Sequence, residues 1–127
     1  MKKTIVIVED DAVVGFVYQT YLKREGFEVE LATDGEAGLA RILRCNPAGV
    51  LLDLMLPKMP GMEVLKKLRA EPHLARIPVM VFTNAFVPDM INDALHSGAT
   101  KVFNKAETTP RQVVEALKDA GCFAREG

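Results

Sequence analysis

Glu9, Asp10 and Asp11 follow one short apolar run, Asp53 closes a second, Thr83 a third, and Lys105 comes directly after a fourth. Carboxylates gathered at one place repel one another, so without a cation at least one should hold its proton above the usual range. Mg2+ relieves that cost, takes oxygen ligands in octahedral geometry, and keeps waters while also meeting a phosphate. Asp53 stands alone at the end of its run, and a carboxylate so placed is a nucleophile able to accept a phosphoryl group. The Thr83 hydroxyl can donate to one phosphoryl oxygen, and the compact charge of Lys105 can pair with another. Taken singly, each is an ordinary strand-terminal polar residue. The set, repeated at the same kind of position, points to a site.

That site exists only if the four runs are neighbouring strands of one orientation. The runs are Thr4–Val8, 49–52, 78–82 and Lys101–Asn104. Continuous Val/Ile/Leu stretches are the pattern of parallel strands buried on both faces, and open α/β sheets carry their sites at the strands' carboxyl ends. A further strand is expected over Glu28–Ala32.

Between the strands the period changes to that of helices. The first helix follows Asp11, with Val14, Val17, Tyr18, Tyr21 and Leu22 as its apolar face and Gly26 at its end. Asp34-Gly35 leads into a second helix with Leu39, Ile42 and Leu43 inward, stopped by Asn46-Pro47. A rigid loop over 56–61 precedes a third, packed through Leu65 and Leu68. A fourth runs over Pro88–His96 and ends at Gly98. The last opens with Thr109 as N-cap, Pro110 at N1 and Gln112 at N3, a capping box, with Val113, Ala116, Leu117 and Ala120 inward. Five strands alternating with five helices predict a doubly wound, flavodoxin-like (βα)5 sheet of strand order 2-1-3-4-5.

The bulk properties are those of one α/β domain over residues 1–127, with the last helix ending near 120 and a tail over 121–127. In 127 residues the chain is 49% hydrophobic and 26% charged with net charge −1, so no basic field advertises nucleic acid or anionic membrane. No apolar stretch approaches the ~20 residues of a membrane span, and the N-terminal run is too short for a secretory signal. Cys45 and Cys122 lack metal-type spacing and are expected to be idle thiols in a reducing, cytoplasmic setting. His73 and His96 are expected at exposed helix ends.

The ordered set Ile5-Val6-Ile7-Val8-Glu9-Asp10-Asp11, 50–63 ending in Pro57-Lys58-Met59-Pro60-Gly61-Met62-Glu63, 78–83, and Gly98-Ala99 leading to Lys105 resembles the receiver domain of two-component response regulators. The likeness covers essentially the whole chain. It implies that Asp53 is the phosphoacceptor, and that Glu9, Asp10 and Asp53 hold Mg2+ (or Mn2+) together with the Met55 backbone carbonyl. Asp10 would be a direct ligand and Glu9 would act through water. Thr83 and Lys105 would hold the phosphoryl group. A histidine kinase or phosphotransfer protein would donate it, with acetyl phosphate as a small alternative. The domain would catalyse its own phosphorylation and slow dephosphorylation without being an enzyme in the usual sense. A downstream protein of unknown identity would read the change, with no direct nucleic acid or membrane contact and a monomer or weak dimer as the unit.

Three positions depart from the family pattern. Val102 stands where Tyr or Phe is usual, three residues before the lysine, and Phe103 should face the opposite side of its strand, into the core. Ala106 replaces the usual proline, often in a cis bond. A non-proline cis peptide costs about 2.5–4 kcal/mol, so the loop either bears that strain or takes another path. Asn84 replaces a small residue after Thr83. The apolar Ala85-Phe86-Val87 with Met90 is either a partner surface or a local packing unit. Three other readings remain beside the phosphorylated receiver. One is a pseudo-receiver that only binds, and another is a receiver cut from a longer hybrid kinase or regulator. The third is an aspartyl-phosphate phosphatase of the haloacid dehalogenase type, which wants a second Asp where Met55 stands. Neither glycine-rich nucleotide motif occurs.

Overall fold

The computed structural model describes residues 2–124. Five strands, β1 (Thr4–Val8), β2 (Glu28–Ala32), β3 (Gly49–Asp53), β4 (Val79–Thr83) and β5 (Lys101–Asn104), alternate with α1 (Ala12–Arg24), α2 (Gly35–Cys45), α3 (Gly61–Arg69), α4 (Pro88–His96) and α5 (Pro110–Asp119). All pairings are parallel, in the order β2-β1-β3-β4-β5. A short 3-10 turn over Pro72–Leu74, not anticipated from the pattern, links α3 to β4.

The period of two divides the strand side chains between two cores. Val6, Val8, Val50, Leu52, Val79 and Val81 pack beneath α2, α3 and α4. Ile5, Ile7, Leu51, Met80 and Phe82 pack beneath α1 and α5. Strands β3 and β4 are buried at every residue, whereas β5, at the sheet's edge, is exposed or half-buried throughout. Val102 joins the first core and Phe103 the second, so the aromatic next to the usual switch position is a packing residue.

The helix ends follow their expected chemistry. Gly26 and Gly98 adopt positive φ just past α1 and α4, and Thr109 and Gln112 form the reciprocal capping box of α5. Three inward positions need correction. Val17 and Leu43 are 45% and 41% exposed, and Ala120 lies on the surface while Val114 takes its place in the core. In α1 the buried stripe is Gly15, Tyr18 and Leu22, because Gly15 has no side chain to hold the helix off Leu31. Of the expected tail, Cys122 is buried and the Ala124 carbonyl accepts the Lys3 N–H, while 125–127 lie outside the described residues. Among the described residues no helix is long and apolar enough to cross a membrane.

Candidate functional site

Strand order places the carboxyl ends of β1 and β3 side by side, and the carboxylate oxygens of Glu9, Asp10 and Asp53 lie within 4.8 Å of one another. The three adjacent acids after β1 take different tasks. Glu9 continues the β1–β2 ladder, its N–H donating to the Ala32 carbonyl, and its side chain turns fully inward. Asp10 is exposed at the rim. Asp11 is spent as the N-cap of α1, its Oδ1 accepting the N–H groups of Val13 and Val14 at 2.9 and 3.1 Å.

Lys105 reaches back over the acids from just beyond β5. Its ammonium donates to Asp53 Oδ2 at 2.9 Å and lies against Glu9 Oε1, with only 13% of the side chain exposed. The same ammonium sits 5.5 Å above the Phe82 ring, which tilts against Tyr18. The place of Phe82 and Tyr18 beside the site escaped the sequence reading, because strand alternation for the one and helical periodicity for the other mark them simply as core residues.

Glu9 Oε2 accepts the Asp11 N–H at 2.9 Å, but Oε1 is buried without hydrogen-bond geometry to any donor among the described residues. Burial is the main reason the Glu9 pKa is pushed up to about 7, with the charge of Asp53 adding to it. The Asp11 amide and Lys105 pull it the other way. Burial also opposes the charge on Lys105, yet its close contact with Glu9, its hydrogen bond to Asp53 and the charges of both carboxylates together outweigh that and raise its pKa. Three carboxylates against one ammonium leave two negative charges unbalanced when all are ionised. A divalent cation supplies that charge, and all-oxygen donors suit a hard cation.

The loop after Asp53 is pinned from both sides. The Met55 N–H donates to Asp53 Oδ1 at 3.1 Å, fixing the carboxylate, while the Met55 side chain is 60% exposed. A Cβ on Gly61 would lie 2.1 Å from the Asp53 carbonyl oxygen, and one on Gly35 would lie 1.9 Å from that of Met59. Only glycine permits these approaches. Within the loop Lys58 holds φ at 70°, and its ammonium lies 3.8 Å from Asp34.

Thr83 ends β4 fully buried, and its hydroxyl oxygen accepts the Ala85 N–H at 3.0 Å, leaving its own proton to be donated. Its carbonyl accepts the Lys105 N–H at 3.0 Å, which ties the two residues through the backbone. Asn84 beside it is exposed, as are Phe86 (39%) and Val87 (53%). Among the described residues no peptide bond is cis, so the β5–α5 loop takes another path around Ala106. His73 and His96 are exposed, Cys122 is buried, and Cys45 is half-buried.

The profile of the response regulator receiver domain family matches residues 5–118. The chain belongs to this family. It is therefore a receiver domain of two-component signal transduction, and the phosphatase reading falls away. The transcriptional regulatory protein QseB of Haemophilus influenzae is 36% identical over 111 residues, covering 84% of this chain and 49% of QseB. This receiver thus spans about half the length of that relative, and 34% of the length of the Mycobacterium tuberculosis sensory transduction protein RegX3, to which it is 42% identical over 80 residues. Among solved structures, a CheY-like receiver from Methanospirillum hungatei superposes with a TM-score of 0.87 at 29% identity, covering 94% and 93% of the two chains. The Mn2+-bound form of response regulator Rcp1 does so with a TM-score of 0.79 at 27% identity, covering 98% and 96%.

Proposed function

We propose that Asp53 is the phosphoacceptor of this receiver and that Glu9, Asp10, Asp53 and the Met55 carbonyl hold Mg2+, or Mn2+ in its place. The observation that carries this reading is the Lys105 ammonium bridging Asp53 and the buried Glu9, with Asp10 completing a three-carboxylate cluster. The unbalanced charge of that cluster fits a divalent cation, as does the Mn2+ in the Rcp1 structure. When bound, the cation supplies positive charge to the carboxylates and to the oxygens of the incoming phosphoryl group.

An Asp53 oxygen attacks phosphorus and forms the new O–P bond. The bond from phosphorus to the donor breaks, and its electron pair leaves with the donor, a kinase histidine or the acetate of acetyl phosphate. Lys105, already held between two carboxylates, offsets charge on one phosphoryl oxygen, and the Thr83 proton is donated to another. Water attacking the same phosphorus returns the free carboxylate, which is the slow self-dephosphorylation. Asn84, larger than the usual residue at its place, stands at the approach to Thr83 and slows that step.

The donor in signalling is a histidine kinase or phosphotransfer protein, and the readout is a changed contact with a downstream protein in the cytoplasm, from a monomer or weak dimer. QseB is named a transcriptional regulatory protein. Within this receiver we assign output to protein contact and not to direct nucleic-acid binding, consistent with its net charge of −1. Incubation with acetyl phosphate and Mg2+ is expected to add one phosphoryl group by intact mass, absent without Mg2+ and absent in Asp53→Asn. A protein that binds Mg2+ but acquires no adduct from acetyl phosphate or a phosphorylated kinase would instead be a pseudo-receiver.

A further inference from the structure

Lys105 can serve the phosphoryl site only if its backbone is fixed, because the lysine side chain is a flexible four-carbon stem with about 2 kcal/mol of rotamer entropy. The backbone before it is secured by the sheet: Asn104 pairs with Thr83, and the Lys105 N–H donates to the Thr83 carbonyl at 3.0 Å. Beyond Lys105 the chain leaves the sheet and must turn toward Thr109 at the start of α5. Proline is usual in the family at the next position, where its ring removes one torsional freedom. This chain has Ala106, exposed and carrying the amide proton that a proline lacks.

Asn104 accepts a hydrogen bond from that amide. Its side-chain Oδ1 accepts the Ala106 N–H at 3.1 Å, and the amide must face that way because a backbone N–H can only donate. Its backbone carbonyl accepts twice more, from the Glu107 N–H at 3.1 Å and from the Thr108 hydroxyl at 2.6 Å. Residues 104–108 are thereby closed into a hydrogen-bonded ring with Lys105 inside it. An Asn or Asp side chain has the length to reach a backbone amide two residues on, which alanine or valine lacks. The capping of α5 is made separately by Thr109 and Gln112, so the ring is not needed to start that helix.

We infer that Asn104 and Thr108 are positioning residues for Lys105, replacing the constraint of the missing proline and setting where the ammonium meets Asp53. This rests on the reading that Lys105 acts on the phosphoryl group. A displacement of about 1 Å at such a site costs up to about a hundredfold in rate, so a loosened ring should cost a sizeable part of that.

The test uses two readouts on the whole chain. In 15N-labelled protein the buried, ion-paired Lys105 ammonium should give a slowly exchanging signal, identified by its loss in Lys105→Met. Asn104→Ala is expected to broaden or abolish that signal and to slow phosphorylation by acetyl phosphate about tenfold. Thr108→Val is expected to slow it about threefold, while Asn104→Asp and Thr108→Ser, which keep the acceptor and the hydroxyl, return both readouts to within about twofold of the parent. Direct Mn2+ affinity should change by no more than about twofold throughout, since the carboxylates stay in place. An Asn104→Ala protein with an intact ammonium signal and an unchanged rate would overturn the inference. So would a parallel loss of Mn2+ binding, which would mark collapse of the whole site. If the parent protein takes up no phosphoryl group, the phosphoacceptor reading fails, and the ammonium signal of the variants still decides whether the ring positions Lys105.

Discussion

The carboxyl ends of β1 and β3 and those of β4 and β5 belong to one site but are built differently. At the first pair the loops are clamped mainly by backbone contact, Gly61 against the Asp53 carbonyl and Gly35 against that of Met59, with the Asp11 side chain added as the cap of α1. At the second pair, buried β4 and half-exposed β5 are joined by the Lys105 N–H to the Thr83 carbonyl, and the residues beyond them are held by side-chain hydrogen bonds. The Thr83 hydroxyl holds Ala85 and Asn104 holds Ala106, while α4 begins after Val87 with no side-chain cap. Close-packed backbone has no low-energy way to yield, whereas a single hydrogen bond contributes only about 0.5–1.5 kcal/mol and can be exchanged. The half that gathers the three acids is therefore rigid, and the half that carries Thr83 and Lys105 is held by contacts that can be traded. The departures from the family pattern, Asn84, Val102 and Ala106, all fall in the second half.

The largest expected effect tests the rigid half directly. Gly61→Ala places a methyl 2.1 Å from the Asp53 oxygen and 2.6 Å from the Leu54 Cα, both backbone atoms, so β3 and α3 must part. Urea unfolding should show a loss of about 3 kcal/mol or more, beyond ordinary overpacking because no side chain can swing aside. Val87→Ala in the other half, more than half exposed and at an N-cap position where neither side chain can cap, should stay within about 0.5 kcal/mol of the parent. Equal losses in the two variants would erase the contrast.

The second prediction concerns charge in the rigid half. With its pKa raised from 4.5 to about 7, Glu9 binds a proton in the folded, cation-free protein that the unfolded chain has released. The stability this provides is complete below pH 4.5 and is lost as the pH rises through 7. On the proposed metal reading a cation takes the place of the proton, so Mn2+ affinity should run the other way, rising about tenfold per pH unit across that window and levelling above it. Glu9→Gln should flatten the slope and make the cation-free protein more stable at about pH 8, since no buried charge then has to form. An affinity profile that stays flat between about pH 5 and pH 7 would show that Glu9 is not coupled to the cation.

The rigid half was also the more legible one. Continuous apolar runs ending in acids specify strand, burial and site together, so Glu9, Asp10 and Asp53 could be read as a group before any fold was known. The division of labour between Asp10 and Asp11 could not, because two adjacent aspartates differ only in which one faces the first turn of α1. In α1 the one misplaced residue, Val17, has a related cause. Val13, Phe16 and Val17 are as apolar as Val14 and Tyr18, so periodicity does not choose, and the close approach of Gly15 to Leu31 does. Leu43 and Ala120 lie at the margins of otherwise correct stripes, where one helical position decides exposure. Asn104 and Thr108 gave no signal of their own, since their hydrogen bonds exist only once the loop is trans and Ala106 has a proton to give.

The smallest effect has the opposite sign. Lys58 sits at φ 70° in the loop that carries Met55, a conformation that costs a residue with a Cβ of order 1 kcal/mol and costs glycine almost nothing. Its ion pair with Asp34, at 3.8 Å and with the lysine 62% exposed, offsets little of that. Glycine at this position also gives the unfolded chain more freedom, which takes back part of the gain. Lys58→Gly should therefore raise stability by about 0.5 kcal/mol, read as a shift of the urea midpoint at constant slope. Because the neighbouring Met59 and Gly35 backbones already fix the path of the loop, Mn2+ affinity should not move with it. A stabilised Lys58→Gly with weakened Mn2+ binding would mean that the strain at Lys58 helps to aim the Met55 carbonyl, and that even the clamped half of the site holds a part that can give.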